Sequence, residues 1–180
     1  MRKFLFMRYI LIFLSLCLVG NNANALNGCS VENIKQDIEN SEFHSGCLIV
    51  DKEGYMLMSI HKNGKFSIPG GTRNKGESPY HVACREVQEE VGTVPVIHDV
   101  FKTYNKSGMT DNFILFACSI DEKVDNNHKF EDEIIGNKWV KIDQISDEKL
   151  RRPNEYRELY KEVLTRIKDK TIKLSDRILT

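Results

Sequence analysis

The most informative segment of the chain is residues 71–93, which read GTRNKGESPYHVACREVQEEVGT. Glycine and polar residues fill its first part, and Ser78 and Pro79 then precede a run of mixed apolar and charged residues. Serine is a preferred residue just before a helix, and proline is favoured at the first helical position. The segment therefore predicts a loop that leads into a helix beginning at Ser78 and Pro79.

This helix has an apolar side and a charged side when it turns by about 100° per residue. The apolar side carries Tyr80, Ala83, Cys84, Val87 and Val91, and the opposite side carries Val82, Arg85, Glu86 and Glu89, with Glu90 nearer the boundary. The three glutamates are spaced i, i+3, i+4, so their carboxylates lie side by side, which destabilises an isolated helix. A charged helix face is usually solvated surface. The alternative is a site for a hard divalent cation, which prefers carboxylate and carbonyl oxygens.

The spacing of the surrounding residues favours the cation site. Gly71 is followed after five residues by Glu77, and after seven more by the run REVQEEVG at residues 85–92. This pattern resembles the signature of the Nudix hydrolases, and the preceding run FSIPGG at residues 66–71 is similar to the lead-in of that family. Trp139 in a late predicted strand is a further feature in which the chain resembles the family. Thr93 departs from the pattern, which has a bulky aliphatic residue there, and we expect the departure to affect packing behind the helix.

The resemblance implies a fold and a metal site. The fold is an α/β/α sandwich around a mixed β-sheet, in a single domain of the α/β class. Glu86, Glu89 and Glu90, with the backbone carbonyl of Gly71, would hold Mg²⁺ or Mn²⁺. Glu86, Glu89 and Arg85 would be the catalytic residues, and Arg85 with Glu77 would orient the glutamates.

The reaction that the resemblance implies is hydrolysis of a phosphoanhydride bond in a nucleoside diphosphate linked to another group. The general base is left open between Glu86 and an acidic residue of the later loop, namely Glu131, Asp132 or Glu133. Two alternatives are a module of the same fold that senses a nucleotide without hydrolysing it, and an envelope interaction protein. The intact glutamate set favours the enzyme, because a pure sensor does not need a charge cluster that lowers stability.

The rest of the chain indicates one domain at residues 42–170, preceded by a lead-in helix or loop at 26–41 and followed by a tail at 171–180. Strands are predicted at residues 43–50, 55–60, 94–104, 112–120 and 138–142, and apolar residues three and four apart predict an amphipathic helix at 155–167. The first two strands flank the turn residues 51–54 and are expected to form a hairpin.

The N-terminus is typical of a secretory signal peptide, residues 1–25. Arg2, Lys3 and Arg8 precede a short apolar run, and Ala23-Asn24-Ala25 matches a cleavage site before Leu26. We therefore expect export to the periplasm or the exterior, with no membrane span after cleavage. The alternatives are an uncleaved membrane anchor and, less favoured, lipidation at Cys29. The formal net charge is zero, with 26 basic and 26 acidic residues, so no basic face for duplex nucleic acid is indicated.

Four cysteines remain after signal removal, namely Cys29, Cys47, Cys84 and Cys118. An oxidising compartment permits one or two disulfides among them, with three full pairings. The other interpretation is that Cys84 and Cys118 are buried small apolar residues. In either case Cys84 is expected to be inaccessible to thiol reagents, because it lies on the apolar side of the helix.

Overall fold

The computed structural model describes residues 29–31, 43–105, 112–120, 128–130 and 133–176 of the chain. The larger sheet is mixed, and its five strands run in the order β1 (Ser30–Val31), β6 (Val96–Asn105), β7 (Asn112–Ser119), β2 (Phe43–Ile49) and β5 (Gly70–Thr72). The smaller sheet is antiparallel, in the order β4 (Phe66–Ser67), β3 (Met56–His61) and β8 (Ile134–Val140). The two α-helices of the described residues are α1 (Pro79–Val91) and α2 (Pro153–Lys168).

The alternation of side chains along the central strands produces three layers. In β2 and just after it, Cys47 and Ile49 pack with α1, whereas Leu48 and Val50 pack with α2. Successive side chains of a strand point to opposite faces, so an apolar run on a central strand needs a cover on each side. The two helices supply these covers. The predicted α/β/α sandwich is therefore confirmed.

The predicted hairpin between residues 43–50 and 55–60 is wrong. A turn does form, since the amide of Gly54 donates to the carbonyl of Asp51, but Val50 and Met56 make only an isolated bridge. Strand β2 pairs with β7 on one edge and with β5 on the other, so no edge is left for β3. Consecutive strands are neighbours often but not always, and here β3 starts the second sheet.

The closing helix agrees with its prediction and extends it by a residue or two at each end, to Pro153–Lys168. Its buried residues are Tyr156, Leu159, Tyr160 and Val163. The following segment was assigned to a tail, yet Ser175 is buried and its amide donates to the carbonyl of Val50 at 2.8 Å. At least as far as Ser175, this segment packs on the domain.

Two disulfides cross-link the domain. Cys29 pairs with Cys84 and Cys47 pairs with Cys118, with Cα atoms 6.4 and 5.6 Å apart, within the usual range for a disulfide. The interpretation of Cys84 and Cys118 as unpaired apolar residues is therefore wrong. Cys84 is buried as predicted, but its sulfur is protected by a covalent bond as well as by packing.

The lead-in segment contributes a strand where a helix or loop was predicted. Ser30 and Val31 pair in parallel with Val96 and Ile97 at the edge of the larger sheet. The other lead-in residues and the predicted signal peptide lie outside the described residues. Within the described part of the chain, no helix has the length and apolar character needed to cross a membrane.

Candidate active site

Helix α1 positions the charged residues of the site. It begins at Pro79 after Ser78, as predicted, and the imidazole Nδ1 of His81 accepts from the Ser78 amide at 3.4 Å. It ends at Gly92, whose φ of 78° is left-handed and whose amide donates to the carbonyl of Gln88. Glycine takes this conformation without the steric penalty that a Cβ brings.

Arg85 is the centre of the hydrogen-bond network on this helix, and each of its five N–H groups has a partner. Nε and Nη2 donate to the two oxygens of Glu77 at 2.8 and 3.1 Å. Nη1 donates to Glu86 at 2.8 Å and to Glu89 at 2.7 Å. Nη2 also donates to the backbone carbonyl of Thr72 at 2.9 Å. Burial opposes the charge of Arg85, but the neighbouring carboxylates outweigh it and raise its pKa.

Glu77 anchors this network to the loop before the helix. Its Oε2 accepts the amide of Asn74 at 2.8 Å while both of its oxygens accept from Arg85. Its pKa is lowered, because hydrogen bonds from Arg85 and Asn74 outweigh the opposing effect of burial. Glu77 and Arg85 therefore contact each other directly, and their role in orienting the glutamates stays a prediction.

Glu90 lies apart from the other two glutamates. It is buried, and its Oε2 accepts from the Ser59 hydroxyl at 2.7 Å and from the Gly70 amide at 3.3 Å. Burial raises its pKa to about 7. The nearby Glu86 carboxylate also raises this pKa, whereas the hydrogen bond from Ser59 lowers it. Ser59 was not among the predicted site residues. The signal that could have found it is a serine within the apolar strand MLMSIH at residues 56–61.

The glycine-rich loop brings backbone into contact with the glutamates. A Cβ on Gly71 would lie only 2.3–2.6 Å from the carboxyl group of Glu86. A Cβ on Gly70 would lie 2.7 Å from the Cα of Gly46 on β2. Cβ atoms are essentially never found this close to other atoms, so a side chain at position 70 would clash with the backbone of β2 and one at position 71 would displace the Glu86 carboxylate.

The predicted division of α1 into an apolar and an open charged side needs correction. Val82 was placed on the charged side but is fully buried, and Glu86 and Glu90 are each only 8% exposed. The reason is that strand β5 and the Ser59 end of β3 cover this side of the helix. Glu89 remains half-buried. The site is therefore a set of largely desolvated carboxylates.

The donor set suits a hard divalent cation in its chemistry. Three carboxylates lie on consecutive turns of one helix, and the side of Gly71 that faces Glu86 has no side chain. As they stand, however, no three acidic, histidine or cysteine side chains among the described residues converge on one point. Arg85 draws Glu86 and Glu89 together, and Ser59 holds Glu90 to one side. A carboxylate has about four acceptor positions, so a contact with Arg85 still leaves oxygen lone pairs for a cation.

Of the later-loop residues predicted as alternatives for the general base, the structure describes Glu133. Glu131 and Asp132 lie outside the described residues. Glu133 is exposed, and its backbone carbonyl accepts the Lys62 amide at 3.0 Å. Nearby, His128 lies against the end of α1, with Nε2 at 2.6 Å from the carbonyl oxygen of Glu89.

Comparison with known proteins identifies the family and the fold of the chain. A protein-family model described as the NUDIX domain matches residues 42–163. The chain is similar in structure to a NUDIX hydrolase from Nitrosomonas europaea, with 20% identity and a TM-score of 0.58 over 75% of this chain and 93% of that one. It is also similar to an ADP-ribose pyrophosphatase from Streptococcus suis, with 14% identity and a TM-score of 0.57 over 76% of this chain and 97% of that one.

A third similar structure is a UDP-X diphosphatase, with 16% identity and a TM-score of 0.58 over 78% of this chain and 68% of that one. No curated protein matches the sequence. At these identities the likeness to solved structures establishes the fold, and the match over residues 42–163 establishes the family.

Proposed function

The chain belongs to the NUDIX family, and we infer that it is an exported, divalent-metal-dependent hydrolase that cleaves a phosphoanhydride bond. The observation that carries this inference is a set of three glutamates on one helix, of which Glu86 and Glu90 are buried and Glu86 and Glu89 share the guanidinium of Arg85. Burying charge without compensation is costly, and like charges on adjacent helix turns repel each other. A cation that is bound during function compensates for both costs.

The metal site that we propose consists of Glu86, Glu89, Glu90 and the backbone carbonyl of Gly71, holding Mg²⁺ or Mn²⁺. When bound, such an ion neutralises phosphate oxygens and lowers the pKa of a coordinated water. The protein's part is to hold the carboxylates in place. Arg85 fixes Glu86 and Glu89, Ser59 fixes Glu90, and the loop at Gly71 closes the site from the opposite side. The proton acceptor is Glu86 or an acidic residue at 131–133.

The substrate class that we propose is a nucleoside diphosphate linked to another group. Two of the similar structures are named as an ADP-ribose pyrophosphatase and a UDP-X diphosphatase, and both names specify compounds of this class. The carboxylates alone would repel a diphosphate, but a cation held by them would attract its negatively charged oxygens.

Export is supported by the cysteines as well as by the predicted signal peptide. Two disulfides in one small domain are typical of oxidising compartments and rare in the cytosol. The Cys29 sulfur is bonded to Cys84, so it cannot also carry the thioether of a lipoprotein. This argues against lipidation and leaves cleavage before Leu26, with an uncleaved anchor as the alternative.

The test is hydrolysis of a panel of nucleoside diphosphate derivatives by the purified protein with Mg²⁺ or Mn²⁺. We expect EDTA to abolish product release, and we expect Glu89→Gln to lower kcat by roughly a thousandfold, about 4 kcal/mol of transition-state stabilisation. The matched control is Glu158→Gln on α2, where an exposed glutamate pairs with Lys161 at 2.8 Å. Thermal melts of each variant verify folding.

Each outcome of this test has a definite meaning. Full activity in EDTA, or in the Glu89→Gln variant, would contradict the metal-dependent mechanism. Binding of a nucleotide without turnover would instead indicate the sensing module. Absence of any response to Mg²⁺ or Mn²⁺, together with absence of nucleotide binding, would indicate an envelope interaction protein.

A further inference from the structure

Arg85 cannot serve as the group that binds the substrate's phosphates. All five of its N–H donors are taken by Glu77, Glu86, Glu89 and the carbonyl of Thr72. Positive charge on the protein attracts a polyanion and adds to the effect of a bound metal. A second cation beside the glutamates would therefore favour substrate binding, provided that its donors are available.

Arg151 meets both conditions. Its side chain is exposed, and within the described part of the chain its guanidinium makes no hydrogen bond or ion pair. Its backbone is held firmly: the Arg151 amide donates to the carbonyl of Phe66 at 3.0 Å, and the preceding Leu150 is 1% exposed and bridges to Phe66. The guanidinium is therefore available to a ligand, and the backbone that carries it is held in place.

The contacts of strand β4 place the backbone of Arg151 near Glu90. Phe66, which holds Arg151, is followed by Ser67, and Ser67 pairs with Ser59 on β3. The Ser59 hydroxyl in turn donates to the Glu90 carboxylate. The backbone of Arg151 is therefore two strand spacings from that of Ser59, about 10 Å in all, a distance that the long arginine side chain can largely span.

The electrostatic effects of Arg151 agree with this placement. Burial raises the pKa of Glu90, and the charge of Arg151 acts against that rise. Burial lowers the pKa of the neighbouring His61, and Arg151 lowers it further, whereas Glu133 acts in the opposite direction. Arg151 therefore lies within electrostatic reach of both Glu90 and His61.

We propose that Arg151 binds phosphate oxygens of the substrate's diphosphate group, on the β4 side of the glutamates. This proposal rests on the proposed function, since it names a substrate-binding residue of the same site. Arginine is suited to this role because its planar fork donates two parallel hydrogen bonds to a phosphate. Such a contact would add affinity and would fix the diphosphate relative to Glu90.

The experiment measures binding of methylenediphosphonate, a non-hydrolysable diphosphate probe, to the purified protein by calorimetry in the presence of Mg²⁺. We expect Arg151→Gln to weaken binding by roughly 10- to 100-fold, the loss typical of charged hydrogen bonds. Arg151→Lys should recover only part of the affinity, because lysine keeps the charge but lacks the fork. The matched control is Arg152→Gln, an exposed neighbour that pairs with Glu155 at 3.1 Å and should leave binding unchanged.

Kinetics on a hydrolysed diphosphate substrate provide a second readout. We expect Arg151→Gln to raise KM about as much as it weakens the probe, and to change kcat less. Probe affinity equal to that of the wild type in Arg151→Gln, or a wild-type protein that does not bind the probe, would overturn the proposal. A wild-type protein that binds the probe through Arg151 but hydrolyses no diphosphate would instead refute the proposed function, so the two failures are distinguishable.

Discussion

Glu90 differs from the other site glutamates in having no contact with Arg85. Its partners are the neutral Ser59 hydroxyl and the Gly70 amide, and burial raises its pKa to about 7. In metal-free protein the folded state therefore holds a proton on Glu90 at pH values where the unfolded chain has lost it. A carboxyl whose folded pKa is raised contributes full stability below its unfolded pKa of about 4.5, and loses that contribution as pH rises to about 7.

We expect Glu90→Gln to remove this pH dependence. Glutamine keeps the shape and is neutral at every pH, so the variant should unfold like the wild type at pH 4 and be more stable at pH 8, by up to about 3 kcal/mol. Because other groups titrate in both proteins, the quantity to compare is the difference in free energy of unfolding, measured in urea with EDTA present. A difference that does not change between pH 4 and pH 8 would contradict the raised pKa.

The sequence was sufficient to place these glutamates on one helix but not to predict their surroundings. Helical spacing placed Glu86, Glu89 and Glu90 together on α1, and Ser78-Pro79 marked the start of the helix. Spacing along one helix cannot reveal what covers it. Burial of Glu86 and Glu90 depends on β5 and on Ser59 of β3, which are distant in sequence, so the charged side was predicted to be open.

Among the elements, the strands show which features sequence can determine. The ends of β6, β7 and α2 follow from apolar runs and helical periodicity, and they lie close to the predicted ends. Pairing partners do not follow from such patterns. The turn at residues 51–54 would serve a hairpin equally well, and only the occupied edges of β2 direct β3 into the second sheet.

The disulfides tie elements that are remote in sequence, and we expect their reduction to destabilise the fold. Cys29–Cys84 attaches the edge strand β1 to α1, and Cys47–Cys118 joins the neighbouring strands β2 and β7. The sequence separations of 55 and 71 residues correspond to a loop-entropy contribution of about 4 kcal/mol for either bond alone. Urea unfolding with and without a reductant measures the loss, and Cys29→Ala/Cys84→Ala isolates the first bond.

A thiol count checks the pairing directly. Denatured but unreduced mature protein should show no reactive thiol from Cys29, Cys47, Cys84 or Cys118. Four reactive thiols would refute both bonds. Rapid labelling of Cys84 alone in the folded protein would mean that the Cys29–Cys84 bond is absent.

At the scale of the whole molecule, the sequence predicts export. We expect the mature chain to begin at Leu26, because Ala23-Asn24-Ala25 follows a short apolar run. N-terminal sequencing of protein recovered from the cell envelope tests this. Retention of Met1 would indicate the anchored alternative, and a lipid on Cys29 would contradict both cleavage before Leu26 and the Cys29–Cys84 bond.

The two disulfides also determine how the chain would respond to a cut. A single peptide bond broken between residues 29 and 84 leaves both fragments joined through Cys29–Cys84, and one broken between residues 47 and 118 leaves them joined through Cys47–Cys118. The two closed loops overlap, so any one cleavage from residue 29 to residue 118 yields a nicked but covalently intact molecule. All of α1 and the glycine-rich loop lie within that span. A nicked molecule of this kind would migrate as one species until it is reduced.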